Sequence, residues 1–304
     1  AQPRDHGRSE PVVTPGRASD ARHEPGPIKL GIAEWSVPIA GPAACAHVAA
    51  AGLDGLQVDL GPRTSGLPMS RAAIRAAYQQ AASDADIDLV SLAANELCND
   101  GLNVRPDSNA GRSARATMAA AIEAAAALGL ELVQFPCFEG GFVSSAAERR
   151  NMADGLRFAC NLAADCGITV GTENVLSPTE TDELFERVNA DNLAVFFDTQ
   201  NHFLNRGFDQ TEILEALFDR VVQVHAKDGR GGILSSALVG EGEARVAEQI
   251  QLLVARSYEG WISLENFYDT GPLAHRNAEP FDTMAEDAAA LRSLVDRAMT
   301  SAPR

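Results

Sequence analysis

Eight short runs rich in Val, Ile, Leu and Phe recur from Ile28 onward, separated by longer helical stretches that are often rich in Ala. This alternation is typical of parallel βαβ units. Eight such units predict a closed (β/α)8 TIM barrel, which needs about 250 residues, and the chain has 304. The predicted strands are Ile28–Ser36, Gly55–Leu60, Asp88–Ala94, Leu132–Phe138, Ile168–Asn174, Leu193–Asp198, Val221–His225 and Trp261–Glu265.

The barrel is expected to occupy residues 28–300 as one domain. Residues 1–27, rich in Pro, Gly, Arg and His, are expected to form a flexible tail. A doubly wound open sheet is the structural alternative. It is disfavoured because the first strand-to-helix turn, Trp35 to Ala43, lacks the G-x-G-x-x-G loop of dinucleotide-binding folds.

Two long helices are predicted over Ser113–Leu128 and Ser145–Asp165, with Gly129 and Gly167 at positions suited to C-terminal caps. Ser and Thr side chains cap helix N-termini by accepting backbone hydrogen bonds. The predicted N-caps are Ser113, Ser145 and Thr179, and Asp209 is predicted to open the helix that runs towards Phe218.

Charge and apolar content narrow the class of partner. The chain carries 42 acidic and 25 basic residues, a formal net charge of -17. This argues against nucleic acid and against an anionic membrane surface, both of which attract Lys and Arg. No apolar run approaches a membrane span. We expect a cytoplasmic protein, although the first residue, Ala1, leaves a removed export signal as the alternative.

Four predicted strands end in side chains that can bind a metal ion: Glu173, Asp198, His225 and Glu265. In a parallel barrel the carboxyl ends of all strands open onto one face, so these residues should meet there. Taken singly, each has an ordinary structural explanation. Together, three carboxylates in one cavity require a compensating cation. One imidazole and three carboxylates suit a divalent ion, with Mn preferred over Mg, Co or Zn.

Several segments resemble the sugar phosphate isomerase/epimerase family with the xylose isomerase-like barrel, which includes ketose 3-epimerases, hydroxypyruvate isomerases and inosose dehydratases. The resemblance rests on residues 171–174, 197–199, 224–228, 240–242 and 258–266. It implies that the four strand-end residues are metal ligands, and that Glu173 and Glu265 are also the acid/base pair. The metal would then stabilise an enediolate while the two carboxylates exchange a proton with the substrate.

The resemblance also implies a small-molecule sugar or sugar phosphate as substrate and a homodimer or homotetramer as the assembly. The sequence departs from the family after strand six, where Asn201 occupies the position usual for a His and His202 follows it. The glycine-rich loop 229–236 is read either as a phosphate site or as a surface lid. The expected substrate-binding residues are Trp35, Asn95, Gln134, Asn201, His202, Lys227 and Arg230. For Lys227, an ion pair with Asp228 is the alternative role.

The sequence thus predicts a metal-dependent isomerase or epimerase of a ketose, ketose phosphate or related polyol. A dehydratase of a keto-inositol-like substrate on the same scaffold is the main alternative. A non-catalytic sugar-binding barrel is a second. A DNA-repair endonuclease is disfavoured, because such sites use many His ligands and the chain has six His and a net charge of -17.

Overall fold

A computed structural model describes residues 28–301, which form the predicted (β/α)8 barrel. The eight strands are parallel and follow the order of the chain, and β1 pairs with β8 to close the barrel. The expected tail over residues 1–27 lies outside the described residues. The strands are β1 Lys29–Ala33, β2 Gly55–Asp59, β3 Asp88–Ala93, β4 Leu132–Pro136, β5 Thr169–Glu173, β6 Leu193–Asp198, β7 Val221–Ala226 and β8 Trp261–Leu264.

Helices cover the outside of the barrel and bury the apolar faces of the strands. Within residues 28–301, no helix combines the length and apolar character needed to cross a membrane. The helices are α1 Ala44–Ala50, α2 Ala72–Ala85, α3 Leu97–Asp100, α4 Asn109–Leu128, α5 Ala146–Ala164, α6 Pro178–Val188, α7 Asn201–Arg206, α8 Gln210–Leu217, α9 Val246–Ala255 and α10 Pro280–Ser301.

The first strand is shorter than predicted. It ends at Ala33, and Glu34–Ser36 form a 3-10 turn. The carboxylate of Glu34 holds this turn by accepting backbone hydrogen bonds from Gly41 and Asp59. The turn places Trp35 at the barrel mouth instead of within a strand.

Two of the three predicted N-caps are wrong. Ser145 is confirmed, since it accepts from the backbone of Glu148 in a capping box. Helix α4, however, begins at Asn109 and is capped by Ser108 rather than Ser113. Helix α6 is capped by Ser177 rather than Thr179, and its first residue is Pro178. A proline fits there because the first helical N–H has no partner within the helix.

A buried carboxylate organises the loop that follows β7. Asp228 accepts backbone hydrogen bonds from Gly229, Gly240, Gly242 and Ala244. A Cβ on Gly242 would lie 2.0 Å from Oδ1 of Asp228, so only glycine fits at this position. The loop therefore folds around a fixed point at the barrel mouth. Asp228 is committed to these amides, and its ion pair with Lys227, the alternative role for that lysine, does not form.

Candidate metal centre and substrate cavity

Glu173, Asp198, His225 and Glu265 meet at the carboxyl ends of β5 to β8. Each offers one ligand atom, and these four atoms all lie within 4.8 Å of one another. All four side chains are buried, from 0% exposed for His225 to 7% for Glu265. The polar strand ends of the sequence therefore form one compact cluster.

Two amides hold the carboxylate of Glu173. Asn201 Nδ2 donates to Oε1 at 3.0 Å, and Gln134 Nε2 donates to Oε2. Because an ionised carboxylate only accepts hydrogen bonds, this contact fixes which end of the Gln134 amide carries the donor. Gln134 Oε1 in turn accepts from Gln57 Nε2 at 2.9 Å.

The next bond in this series fixes the tautomer of His225. Since the nitrogen of Gln57 is committed to Gln134, its Oε1 is the atom that lies 2.6 Å from Nε2 of His225. Nε2 must therefore carry the proton. In the neutral imidazole Nδ1 then keeps its lone pair, and this atom is buried and has no hydrogen-bond partner among the described residues. It lies 3.6 Å from Glu173 Oε2 and 3.4 Å from Glu265 Oε2, in the position of a metal ligand.

Asp198 presents one oxygen to the protein and one to the cluster. Oδ1 accepts backbone hydrogen bonds from Gln200 at 2.8 Å and Asn201 at 2.6 Å, at the start of α7. Oδ2 is buried and accepts no hydrogen bond within residues 28–301. Burial raises the pKa of the Asp198 carboxyl to about 7, although the Lys227 ammonium opposes the rise.

Glu265 lies between an indole and an ammonium. Trp35 Nε1 donates to Oε1 at 3.0 Å, and Lys227 Nζ donates to Oε2 at 2.5 Å. Lys227 also lies 3.2 Å from Asp198 Oδ2. Burial alone would raise the pKa of Glu265, but His225 and Lys227 outweigh it, so the net shift is downward. Glu265 is therefore held ionised at neutral pH.

The cluster fits a divalent ion. Burial lowers the pKa of His225, but the carboxylates of Glu265 and Glu173 outweigh it and raise the pKa overall. The site therefore favours positive charge at the position that Nδ1 faces. Three carboxylates, the Lys227 ammonium and one divalent ion would be neutral in sum, whereas the carboxylates and the ammonium alone leave an excess of negative charge. The atoms that an ion would engage include Nδ1 of His225 and Oδ2 of Asp198, which accept no hydrogen bond among the described residues, although Lys227 lies 3.2 Å from the latter.

A cavity of about 520 Å³ opens beside the cluster. This volume is in the range of small-molecule sites. Of the expected substrate-binding residues, Trp35, Asn95, Asn201 and Lys227 line it. Gln134 does not line it, since it lies behind Glu173 as a hydrogen-bond donor.

The structure places His202 and Arg230 away from the cavity lining. His202 is buried, its ring stacks on Phe197, and its Nε2 lies 3.2 Å from the carbonyl oxygen of Leu176. Burial lowers the pKa of His202 to about 4, so this side chain is neutral. Arg230 is exposed, and its Nε donates to the carbonyl oxygen of Glu241 at 2.6 Å.

Two residues of this site were missed by the sequence analysis, Gln57 and Asp59. Both lie in β2, which reads as an apolar strand apart from these two side chains. Gln57 bonds to His225, and Asp59 lines the cavity. The signal that could have found them is the alternation of the strand, because a buried strand that carries two polar residues must give each of them a partner.

Known proteins with related sequences and structures include several carbohydrate enzymes. The profile of a family described as "Xylose isomerase-like TIM barrel" matches residues 45–294. A "2-epi-5-epi-valiolone 7-phosphate 2-epimerase" from Actinoplanes sp. is 30% identical over 228 residues, covering 74% of this chain and 82% of that protein. An "Inosose dehydratase" from Clostridium botulinum is 27% identical over 156 residues, covering 44% of this chain and 52% of that protein. A xylose isomerase domain protein from Planctomyces limnophilus shares the fold with a TM-score of 0.74 at 16% identity, covering 90% of this chain and 99% of that chain.

Proposed function

Because this chain belongs to the xylose isomerase-like TIM barrel family, we propose that it is a metal-dependent isomerase or epimerase. Its substrate is a ketose, a ketose phosphate or a related polyol ketone. The observation that carries this proposal is the pair Glu173 and Glu265, two buried carboxylates on β5 and β8 that both approach Nδ1 of His225 and both line the cavity. The relative from Actinoplanes sp., named as a 2-epimerase, supports an epimerisation.

The proposed reaction moves a proton at a carbon beside a carbonyl group. A divalent ion held by Glu173, Asp198, His225 and Glu265 would polarise that carbonyl and make the neighbouring C–H group more acidic. One carboxylate of the pair removes the proton and later releases it to solvent, and the other takes up a proton from solvent and delivers it to the opposite face, which inverts the carbon. Asp198 and His225 serve only to hold the ion. The ligand set suits Mn first, with Mg, Co or Zn as further candidates.

The test is deuterium exchange in D2O. The purified chain, loaded with Mn, is incubated with a panel of ketoses, ketose phosphates and cyclic polyol ketones, and products are followed by mass spectrometry and NMR. We expect one deuteron to enter beside the carbonyl of at least one compound, and chelation of the ion to abolish the exchange. If no compound exchanges although the ion is bound, the protein is not an isomerase or epimerase of this class.

A dehydratase is the second candidate, and the relative named "Inosose dehydratase" favours it. The same carboxylate pair would remove the proton from one carbon and protonate a departing hydroxyl group on the next. The product would then weigh one water less than the substrate. The panel separates the two candidates directly, since in ordinary water the product of an epimerase has the same mass as its substrate. Sugar binding without any exchange or loss of water would instead indicate a non-catalytic binding barrel.

A further inference from the structure

We infer that the substrate is an uncharged polyol ketone rather than a phosphate ester, and that Asp59 accepts a hydrogen bond from one of its hydroxyl groups. The inference rests on the proposed function, which allows both substrate classes. It concerns the part of the cavity away from the metal centre, where the remainder of the substrate would lie.

The charges on the cavity wall disfavour a phosphate. Four carboxylates line the cavity, and Lys227 is the one cation among its described lining residues. The Lys227 ammonium is 4% exposed and already contacts Glu265 at 2.5 Å and Asp198 at 3.2 Å. With a divalent ion bound the metal centre is neutral in sum, so a phosphate dianion on the rest of the wall would meet the carboxylates of Asp59 and Glu139 without a free cation among the described lining residues. The lining carboxylates are Asp59, Glu139, Glu173 and Glu265.

The glycine-rich loop 229–236 offers little to a phosphate either. A loop that cradles phosphate does so with free backbone N–H groups. Here most of those groups already donate to oxygens of the chain. The pairs are Gly229 to Asp228, Arg230 to Ser236, Gly231 to Glu243, Ile233 to Arg230 and Ser235 to Gln200. The Arg230 guanidinium points to the Glu241 carbonyl oxygen, outside the cavity lining.

Asp59 provides a site for a neutral donor group. It ends β2, which lies four strands from β6 in either direction around the closed barrel, so it faces Asp198 across the mouth. Its Oδ1 accepts the backbone N–H of Asn95 at 3.2 Å, the backbone N–H groups of Leu60 and Gly61 lie near the carboxylate, and the side chain lines the cavity. A carboxylate has about four lone-pair sites, so on a cavity wall it can accept a further hydrogen bond from a hydroxyl group, whereas it repels a phosphate. Burial raises the pKa of Asp59 to about 7, so its repulsion of a phosphate is complete only above that pH.

The experiment uses substrate pairs in which each ketose or cyclic polyol ketone is matched with its own terminal monophosphate. Exchange in D2O gives kcat/KM for both members of each pair. Quenching of tryptophan fluorescence gives the Kd of each member, whether or not it is turned over, because Trp35 lines the cavity. We expect the uncharged member to have kcat/KM higher by about tenfold or more, and Kd to follow the same order.

The outcomes separate this inference from the proposed function. Exchange that is faster with the phosphorylated members, with tighter binding, overturns the inference and leaves the proposed function intact. If neither member of any pair exchanges, the proposed function fails, and the inference with it.

A variant pair tests the role of Asp59. In Asp59→Asn the carboxylate is replaced by an amide of the same shape, which removes its repulsion of a phosphate. The ratio of kcat/KM for the uncharged member to kcat/KM for the phosphorylated member should therefore fall by about fivefold. Asp88→Asn is the control, because Asp88 is an exposed carboxylate at the opposite end of the neighbouring strand β3. An unchanged preference in Asp59→Asn, in a protein with an unchanged unfolding temperature, would contradict the assignment of Asp59.

Discussion

Glu173 and His225, two of the four candidate metal ligands, are joined behind the site by an unbroken series of hydrogen bonds. The series runs from Glu173 through the amides of Gln134 and Gln57 to Nε2 of His225. Because the carboxylate can only accept, the direction of every bond in the series is determined. The acceptor role of the Glu173 carboxylate thus sets the tautomer of His225.

This relationship predicts the effect of Gln57→Met. Methionine has a similar volume but no amide, so Nε2 of His225 loses its acceptor and Nδ1 is no longer fixed as the lone-pair atom. Loss of such an outer partner typically weakens metal affinity by about 10- to 100-fold. Competition with a fluorescent chelator measures the Kd for Mn.

Gln223→Met is the matched control. Gln223 is also buried inside the barrel, but its Nε2 donates to Ser263 Oγ and not to the series that joins the ligands. We expect its metal affinity to stay close to that of the unaltered protein. Equal losses in both variants would indicate that the barrel core, and not the tautomer of His225, controls binding.

Glu265→Gln tests proton transfer. At saturating Mn, with metal content measured in the same samples, the exchange rate should fall by about 100-fold or more, because an amide cannot remove a proton. Glu259→Gln is the control, since Glu259 is exposed and lies just before the first residue of β8, at the end of the strand away from the site. Exchange at the full rate in a metal-loaded Glu265→Gln variant would remove Glu265 from the acid/base pair.

Lys227→Met should separate metal affinity from stability. The ammonium contacts two ligand carboxylates and repels an incoming cation, and a charge at this range contributes about 1–4 kcal/mol. We expect Mn to bind about tenfold more tightly or better in the variant.

The metal-free variant should unfold at a lower temperature, since its buried carboxylates lose a partner. Lys29→Met is the control, because Lys29 is the only other lysine in the sequence and its ion pair with Asp88 is exposed. Weaker Mn binding in Lys227→Met would show that the ammonium supports the metal site.

Metal binding should strengthen as pH rises through about 7. In the metal-free protein the pKa of Asp198 is raised to about 7, and the pKa of His225 is also raised. Below these values protons occupy the groups that must bind the ion, and above them both groups are free to do so. Titrations of Mn binding between pH 5.5 and pH 8.5, about the range over which such groups ionise, should show Kd falling with pH and levelling off. A Kd that is flat over this range would contradict the raised pKa values.

Gly242→Ala should destabilise the loop after β7. Its Cβ would lie 2.0 Å from Asp228 Oδ1 and 2.6 Å from the amide nitrogen of Gly229, so a backbone hydrogen bond must break. Overpacking of this kind typically costs about 1–3 kcal/mol in the free energy of unfolding. Thermal unfolding measures the loss. Gly155→Ala, inside α5, is the control, because its nearest contact is a flexible Leu102 side chain at 3.3 Å and alanine favours the helix.

The barrel could be predicted from the sequence because each strand is a compact apolar run and the runs recur eight times. Strand ends were predicted less well where the chain turns early, as at Glu34–Ser36. The wrong helix caps have a similar cause. Ser108 and Ser113, like Ser177 and Thr179, are near neighbours of the same chemical type, and only the path of the chain decides which one caps the helix.

The four candidate ligands could be predicted because the carboxyl ends of parallel strands meet on one face. Contacts between neighbours in sequence were harder to assign. Lys227 and Asp228 are adjacent, yet successive side chains at a strand end point in different directions. Lys227 therefore reaches the ligand carboxylates, and Asp228 reaches the backbone of its own loop. Gln57 could not be recognised as part of the site, because its role depends on a hydrogen bond to a residue 168 positions away.

The four candidate ligands lie at the carboxyl ends of β5 to β8, whereas Asp59 ends β2 and Asn95 follows β3 on the facing wall. Asp59 and Asn95 bond to each other and to none of the four ligands, whereas Trp35 and Gln57, in the same half of the barrel, bond to Glu265 and His225. Substitutions of Asp59 and Asn95 can therefore change the cavity wall without removing a hydrogen bond from a ligand. Under the proposed function, changes at these two positions would alter the preferred substrate while the metal centre is kept, so a library confined to them is the economical starting point for redirecting the enzyme.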